Sequence, residues 1–137
     1  MAKMLRLLLV EDDPADVVLV RQALALARVR CELLVETSAE GAMAEIGRQR
    51  AMSVKALDAM LLDLGLPDRD GLSVLADLKS LGWNQDLYSI ALTGNHDPAV
   101  VEAVYRHGAN SFMNKPINVN EFVDLLRGEG YWLSLSR

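Results

Sequence analysis

Glu11, Asp12, Asp63, Thr93 and Lys115 are the side chains whose types and positions could do chemistry together, because each stands at or just beyond the end of a short apolar run. Carboxylates brought close repel one another, so such a grouping is costly unless a hard cation or raised pKa values compensate. Mg²⁺ is the natural answer. It takes octahedral oxygen ligands, commonly uses one or two carboxylates, and keeps its other positions for waters and phosphate oxygens. Asp12, Asp63 and a backbone carbonyl just past Asp63 would make such a half-site. Lys115 adds a compact positive charge and Thr93 a hydroxyl, the groups wanted around the spread negative charge of a transferring phosphoryl group. A carboxylate can itself attack phosphorus and become an aspartyl phosphate, so the residues read as a phospho-acceptor site.

These groups meet only if the chain delivers them to one edge of a sheet. Leu5–Val10 reads as a strand buried on both faces and stops at Glu11, Asp12 and Asp13. Pro14 then opens a helix to about Arg28, with Val17, Val18, Val20, Leu24 and Leu26 as its apolar stripe. Cys31–Val35 is β-like, and Ser38 caps a helix through Ala39, Ala42, Met43 and Ile46. Gly47–Ala56 has no clean period and reads as the tail of that helix plus a loop. Ala59–Leu62 is a strand ending at Asp63, followed by the turn formers Gly65, Pro67, Asp68, Asp70 and Gly71.

Leu72, Val74, Leu75 and Leu78 keep helical spacing until Gly82, and Leu87–Leu92 is a strand that ends at Thr93 and Gly94. Asp97 and Pro98 open a helix carrying Val100, Val101, Val104 and Tyr105, with Gly108 as its stop. Ser111–Met113 is a short strand before Lys115 and Pro116, and a last helix runs from about Asn118 towards Trp132 and Leu133. Strands alternating with helices predict a parallel sheet covered on both sides, with ligands in the crevice beyond the carboxyl ends of the strands. Glu11, Asp12, Asp63, Thr93 and Lys115 would all face that crevice.

A length of 137 residues fits one domain spanning 1–137, with a 51% hydrophobic share that supports a continuous core. The net charge of -5 is a poor footing for phosphate contacts, which argues against nucleic acid as a partner. Arg48, Arg50 and Lys55 gather near one helix end and read as a solvated loop. Cys31 is the only cysteine and has no disulfide partner, and the start turns acidic too early for a signal peptide or a membrane span. A cytoplasmic location follows as the default. His96 and His107 lack a partner at ligand spacing and read as surface or packing residues.

The blocks LLLVEDDP (Leu7–Pro14), LLDLGLPDRDG (Leu61–Gly71), ALTG (Ala91–Gly94) and FMNKP (Phe112–Pro116) resemble, in order and spacing, the signature blocks of the response-regulator receiver family of two-component signalling. The resemblance covers nearly the whole chain. It implies a flavodoxin-like, doubly wound α/β fold with a five-stranded parallel sheet of order 2-1-3-4-5 and five helices. It further implies that Asp63 accepts a phosphoryl group from a histidine kinase in a Mg²⁺-dependent reaction. Asp12 would ligate the metal directly, Glu11 would act through water, and the carbonyl of Gly65 would be the backbone ligand.

Thr93 matches the family's switch hydroxyl, Phe112 the aromatic that moves with it, and Lys115 the lysine before a cis proline at Pro116. Gly65 and Asn95 occupy positions that resemble those tuning the lifetime of the acyl phosphate in the family. Such a domain is a signalling phospho-acceptor rather than an enzyme acting on a separate substrate, and its fourth helix, fifth strand and fifth helix form the expected face for an unknown downstream protein.

No output domain is expected after Arg137. The ending GEGYWLSLSR carries Tyr131, Trp132, Leu133 and Leu135, which would bury against their own core or, as an extension over 128–137, against a second copy in a homodimer. This ending and the long segment before the central strand resemble the stand-alone regulators paired with bacterial phytochrome histidine kinases. Two other classes compete: a Mg²⁺-dependent phosphohydrolase with an Asp nucleophile, and a receiver-like scaffold that binds without phosphorylation. The hydrolase wants a second acid two residues after its nucleophile, where Gly65 stands. The scaffold has no need of a costly acidic cluster.

Overall fold

Five strands build the molecule's centre: β1 (Leu5–Val10), β2 (Cys31–Glu36), β3 (Ala59–Asp63), β4 (Tyr88–Thr93) and β5 (Ser111–Asn114). They are parallel throughout and lie in the order β2-β1-β3-β4-β5, as the resemblance implies. The computed structural model describes residues 4–52, 57–95 and 97–128. Every residue of β1, β3 and β4 is buried, which is why these runs carry no polar alternation.

Five helices follow the strands in turn: α1 (Pro14–Leu26), α2 (Ala39–Ala51), α3 (Gly71–Leu81), α4 (Pro98–Arg106) and α5 (Val119–Gly128). Alternate strand residues feed two separate cores. Leu7, Leu9 and Leu61 pack with Val20 and Leu24 of α1 and Phe122 of α5. Leu8, Val10 and Met60 pack with Ala42 and Ile46 of α2, Val74 and Leu78 of α3, and Val104 of α4. With both faces covered, the edge at the carboxyl ends of the strands is left for a site.

Several expectations need correction. The first helix stops at Leu26 rather than Arg28, because Arg28 takes a left-handed φ of 57° and the Val29 N–H turns back to the Leu24 carbonyl at 3.0 Å. Its buried stripe is narrower than expected: Val20 and Leu24 are buried, one helical turn apart, whereas Val18 and Leu26 are 50% and 84% exposed. The second helix runs on to Ala51, so Arg48 and Arg50 are helical rather than in a solvated loop. Arg48 pairs with Glu45 at 2.6 Å one turn back. Arg50 pairs with Asp86 at 2.9 Å and lies over the Trp83 ring. The third expected partner, Lys55, lies outside the described residues, as do His96 and the ending with Tyr131, Trp132, Leu133 and Leu135.

Two features tie the loop after Asp63 to its surroundings. A Cβ on Gly71 would come within 2.7 Å of the Leu64 Cα and 2.8 Å of the Asp63 carbonyl oxygen, so only glycine lets α3 start this close to β3. Asp68 reaches across to the start of α2, where its two oxygens accept the Ala39 N–H at 2.9 Å and the Glu40 N–H at 3.0 Å. Ser38 caps the same helix by accepting the Gly41 N–H at 3.0 Å. By its sequence neighbours alone, Asp68 reads only as a turn former.

The N–H donors of Ala39 and Glu40 hold the Asp68 carboxyl below its ordinary value. Its contribution to stability is therefore complete above that ordinary value, 3.8, and fades as the pH falls through the lowered native value. Asp68→Asn keeps one acceptor oxygen and turns a donor towards the other N–H. The variant is expected to unfold at lower urea than the parent at neutral pH, with the gap closing in acid; an equal gap at both pH values would contradict the cap.

Candidate functional site

Glu11, directly after β1, is 1% exposed, and Asp63, the last residue of β3, is 6% exposed. Asp12 is exposed. A ligating oxygen from each of the three can be chosen so that all lie within 4.8 Å of one another. Backbone bonds hold this edge in place. The Glu11 N–H donates to the Glu36 carbonyl at 3.0 Å, Leu64 N–H to Leu92 at 3.1 Å and Lys115 N–H to Thr93 at 3.1 Å. Asp13, just past the acid pair, caps α1 by accepting the Ala15 N–H at 2.9 Å.

The Lys115 ammonium sits among these acids. Its Nζ is 2.8 Å from Glu11 Oε2, 3.1 Å from Asp63 Oδ1 and 3.3 Å from Asp16 Oδ2. Glu11 Oε1 also accepts the Asp13 N–H at 3.2 Å, so both oxygens of this buried carboxylate are engaged. On Asp63, Oδ1 also accepts the Gly65 N–H at 3.1 Å. Among the described residues both hydrogen bonds to Asp63 fall on Oδ1, which leaves Oδ2 for an ion or an incoming group.

The electrostatics follow from this packing. Burial is the largest influence on Glu11 and pushes its carboxyl above the ordinary value; the Lys115 and Asp13 hydrogen bonds pull the other way, and the Asp63 charge adds to the rise. Burial by itself would lower the Lys115 value, but hydrogen bonds to Glu11 and Asp63 outweigh it and hold the ammonium well above the usual lysine range. Lys115 is thus a fixed cation, not a proton donor, at neutral pH.

The structure brings Glu11, Asp12, Asp63 and Lys115 together from three chain segments. Thr93 is at the end of β4, next to β3, and its Oγ1 accepts the Asn95 N–H at 3.0 Å. Gly65 is met through its N–H, on Asp63. Phe112, on β5, is half-buried with its ring edge-on to Tyr105 of α4 at 6.4 Å between centroids. The Lys115–Pro116 peptide is cis. Asp16 was missed: it lies in the first turn of α1, where an acid is explained by the helix dipole, and nothing local points to a lysine 99 positions away. His107 is at the end of α4, its Nδ1 2.7 Å from the Ala103 carbonyl oxygen, away from this edge.

The donor set fits a hard divalent cation: oxygen ligands only, one of them exposed and two buried, and more negative charge than one lysine balances. A doubly wound parallel sheet with an acidic crevice and one opposing lysine matches the receiver module of two-component signalling. The chain belongs to the response regulator receiver domain family, whose model matches residues 7–127.

Among its relatives is response regulator Rcp1 of Synechocystis sp., 34% identical over 132 residues that cover 93% of this chain and 88% of that protein. The solved bacteriophytochrome response regulator AtBRR superposes with a TM-score of 0.82 at 27% identity, covering 98% of this chain and 99% of that one. The Mn²⁺-bound form of Rcp1 gives a TM-score of 0.70 at 32% identity, covering 96% of each chain. The chain spans about half or less of longer relatives such as the transcriptional regulatory protein KdpE of Staphylococcus aureus.

Lys115→Met would leave Glu11 and Asp63 facing each other without a cation. Denaturant unfolding is expected to show a loss of about 1–3 kcal/mol, less than for a fully buried charge because the lysine side chain is 26% exposed. A divalent cation should restore part of that loss by binding the folded state. An unchanged midpoint, or no response to the cation, would count against the cluster as described.

Proposed function

We propose that the protein takes a phosphoryl group from the phosphohistidine of a histidine kinase onto Asp63, with Mg²⁺, and signals by altered partner binding. The observation that carries this reading is the Asp63 carboxylate, buried, with Oδ1 held by Lys115 and Gly65 and Oδ2 left unengaged among the described residues. Asp12, Asp63 and the Gly65 backbone would hold the metal, which when bound supplies charge neutralisation at the phosphoryl oxygens.

The chain's own residues do the rest. An Asp63 carboxylate oxygen forms the O–P bond as the donor's N–P bond breaks, and the departing imidazole takes up a proton from solvent. Lys115 stays charged and stabilises the negative charge that spreads over the equatorial oxygens. The site faces the open edge of the sheet, so the donor approaches without passing through the core.

The acyl phosphate adds charge and acceptor oxygens where a carboxylate stood. The Thr93 hydroxyl, now accepting from Asn95, is the group to turn inwards and donate to it. Phe112 then moves, loosening its edge contact with the half-exposed Tyr105 and altering the face made by α4, β5 and α5. Likeness to Rcp1 and to the bacteriophytochrome response regulator AtBRR supports a kinase of the phytochrome type as the donor. Among the described residues no helix is long and apolar enough to cross a membrane, which is compatible with action in the cytoplasm.

Incubation with acetyl phosphate and Mg²⁺, read by intact mass, is expected to add one phosphoryl group to the parent protein and none to Asp63→Asn. An unlabelled parent, or a variant labelled as fully as the parent, would overturn the reading.

A further inference from the structure

Asp16 takes no part in the chemistry so far, yet it holds one of the three carboxylate contacts of Lys115. The three are unequal. Glu11 and Asp63 are buried and come within 2.8 and 3.1 Å, whereas the Asp16 side chain is 32% exposed and its oxygen is 3.3 Å away. An ammonium has three N–H groups, so all of its donors are committed before any phosphoryl group arrives. Glu11, Asp16 and Lys115 also line one small cleft with Leu19 and Val20 of α1 and Pro116, which places the Asp16 contact on the α1 side of the lysine.

We propose that Asp16 is a positioning residue that holds the Lys115 ammonium towards α1, so that Lys115 must exchange Asp16 for a phosphoryl oxygen when Asp63 is modified. The inference rests on the reading of Asp63 as the acceptor. The weakest and wettest of the three contacts is the one to give way, because the charge it strands is taken up by water. The stronger contacts to Glu11 and Asp63 keep the lysine at the site after Asp16 is lost, so removing Asp16 frees a donor without setting the lysine adrift. Asp16 therefore acts as a brake on phosphorylation.

The test is the rate of labelling by acetyl phosphate and Mg²⁺ in the parent, Asp16→Asn, Asp16→Ala, Lys115→Met and the double variant Asp16→Asn/Lys115→Met. Both Asp16 variants are expected to label faster, by about twofold to fivefold, the scale of one solvent-exposed ion pair. In the Lys115→Met background the gain should vanish, a coupling that a purely structural role for Asp16 would not produce. Unchanged or slower labelling of both Asp16 variants overturns the brake, and so does a gain that persists without Lys115. A parent protein that takes no phosphate would instead overturn the assignment of Asp63, and the brake with it.

Discussion

The structure depends on holding like charges together. Glu11 and Asp63 are buried side by side at the ends of adjacent strands, where each raises the electrostatic cost of the other. The Lys115 ammonium offsets that cost from a third segment, 2.8 and 3.1 Å from the two acids. One cation against this much negative charge leaves the site under-neutralised, and a site left in that condition favours a divalent ion and an incoming group that brings a metal with it. The arrangement is poor as a stabilising device, since a buried ion network of this kind gains little over apolar packing. Its value is chemical: a buried carboxylate presented beside a fixed positive charge.

What makes such a cluster tolerable is the rigidity of the scaffold behind it. Three fully buried strands, packed on both faces, fix the strand ends, and the backbone bonds from Glu11 to Glu36, Leu64 to Leu92 and Lys115 to Thr93 carry that order into the first residues beyond the sheet. The loop after Asp63 is held from both sides. Gly71 lets α3 close against it, and Asp68 fastens it to the start of α2. Asp63 is therefore followed by a loop fastened at both ends, while Thr93 and Phe112 stand on the neighbouring strands β4 and β5. Thr93, Phe112 and Tyr105 form a line from β4 through β5 to α4, ending at a half-exposed ring on the surface.

The order of strands and helices was legible because it is written in local signals. Apolar runs, interrupted only by Arg6, mark Leu5–Val10 and Ala59–Leu62 as doubly buried strands, and Pro14, Pro98 and Gly82 punctuate helices. The acids and the lysine stand at the ends of those runs, so a parallel sheet brings Glu11, Asp12, Asp63 and Lys115 to one crevice with no further information. Where local signals were mixed, the reading erred. Arg48 and Arg50 looked like loop residues because charges obscured the period, but pairing with Glu45 and Asp86 and the Trp83 face support the helix to Ala51.

The contacts that join distant segments belonged to the tertiary structure alone. Asp16 and Lys115 are 99 residues apart, and Asp68 caps a helix 28 and 29 residues before it. Each of these acids has an adequate local explanation, one as a first-turn residue and the other as a turn former, so no spacing betrays the second role. Propensity and periodicity act between neighbours in the chain, and they determined the elements and the edge on which the chemistry sits. Which side chains share one ammonium across that edge is decided by packing, because only the folded sheet and its helices bring the partners within 3.3 Å.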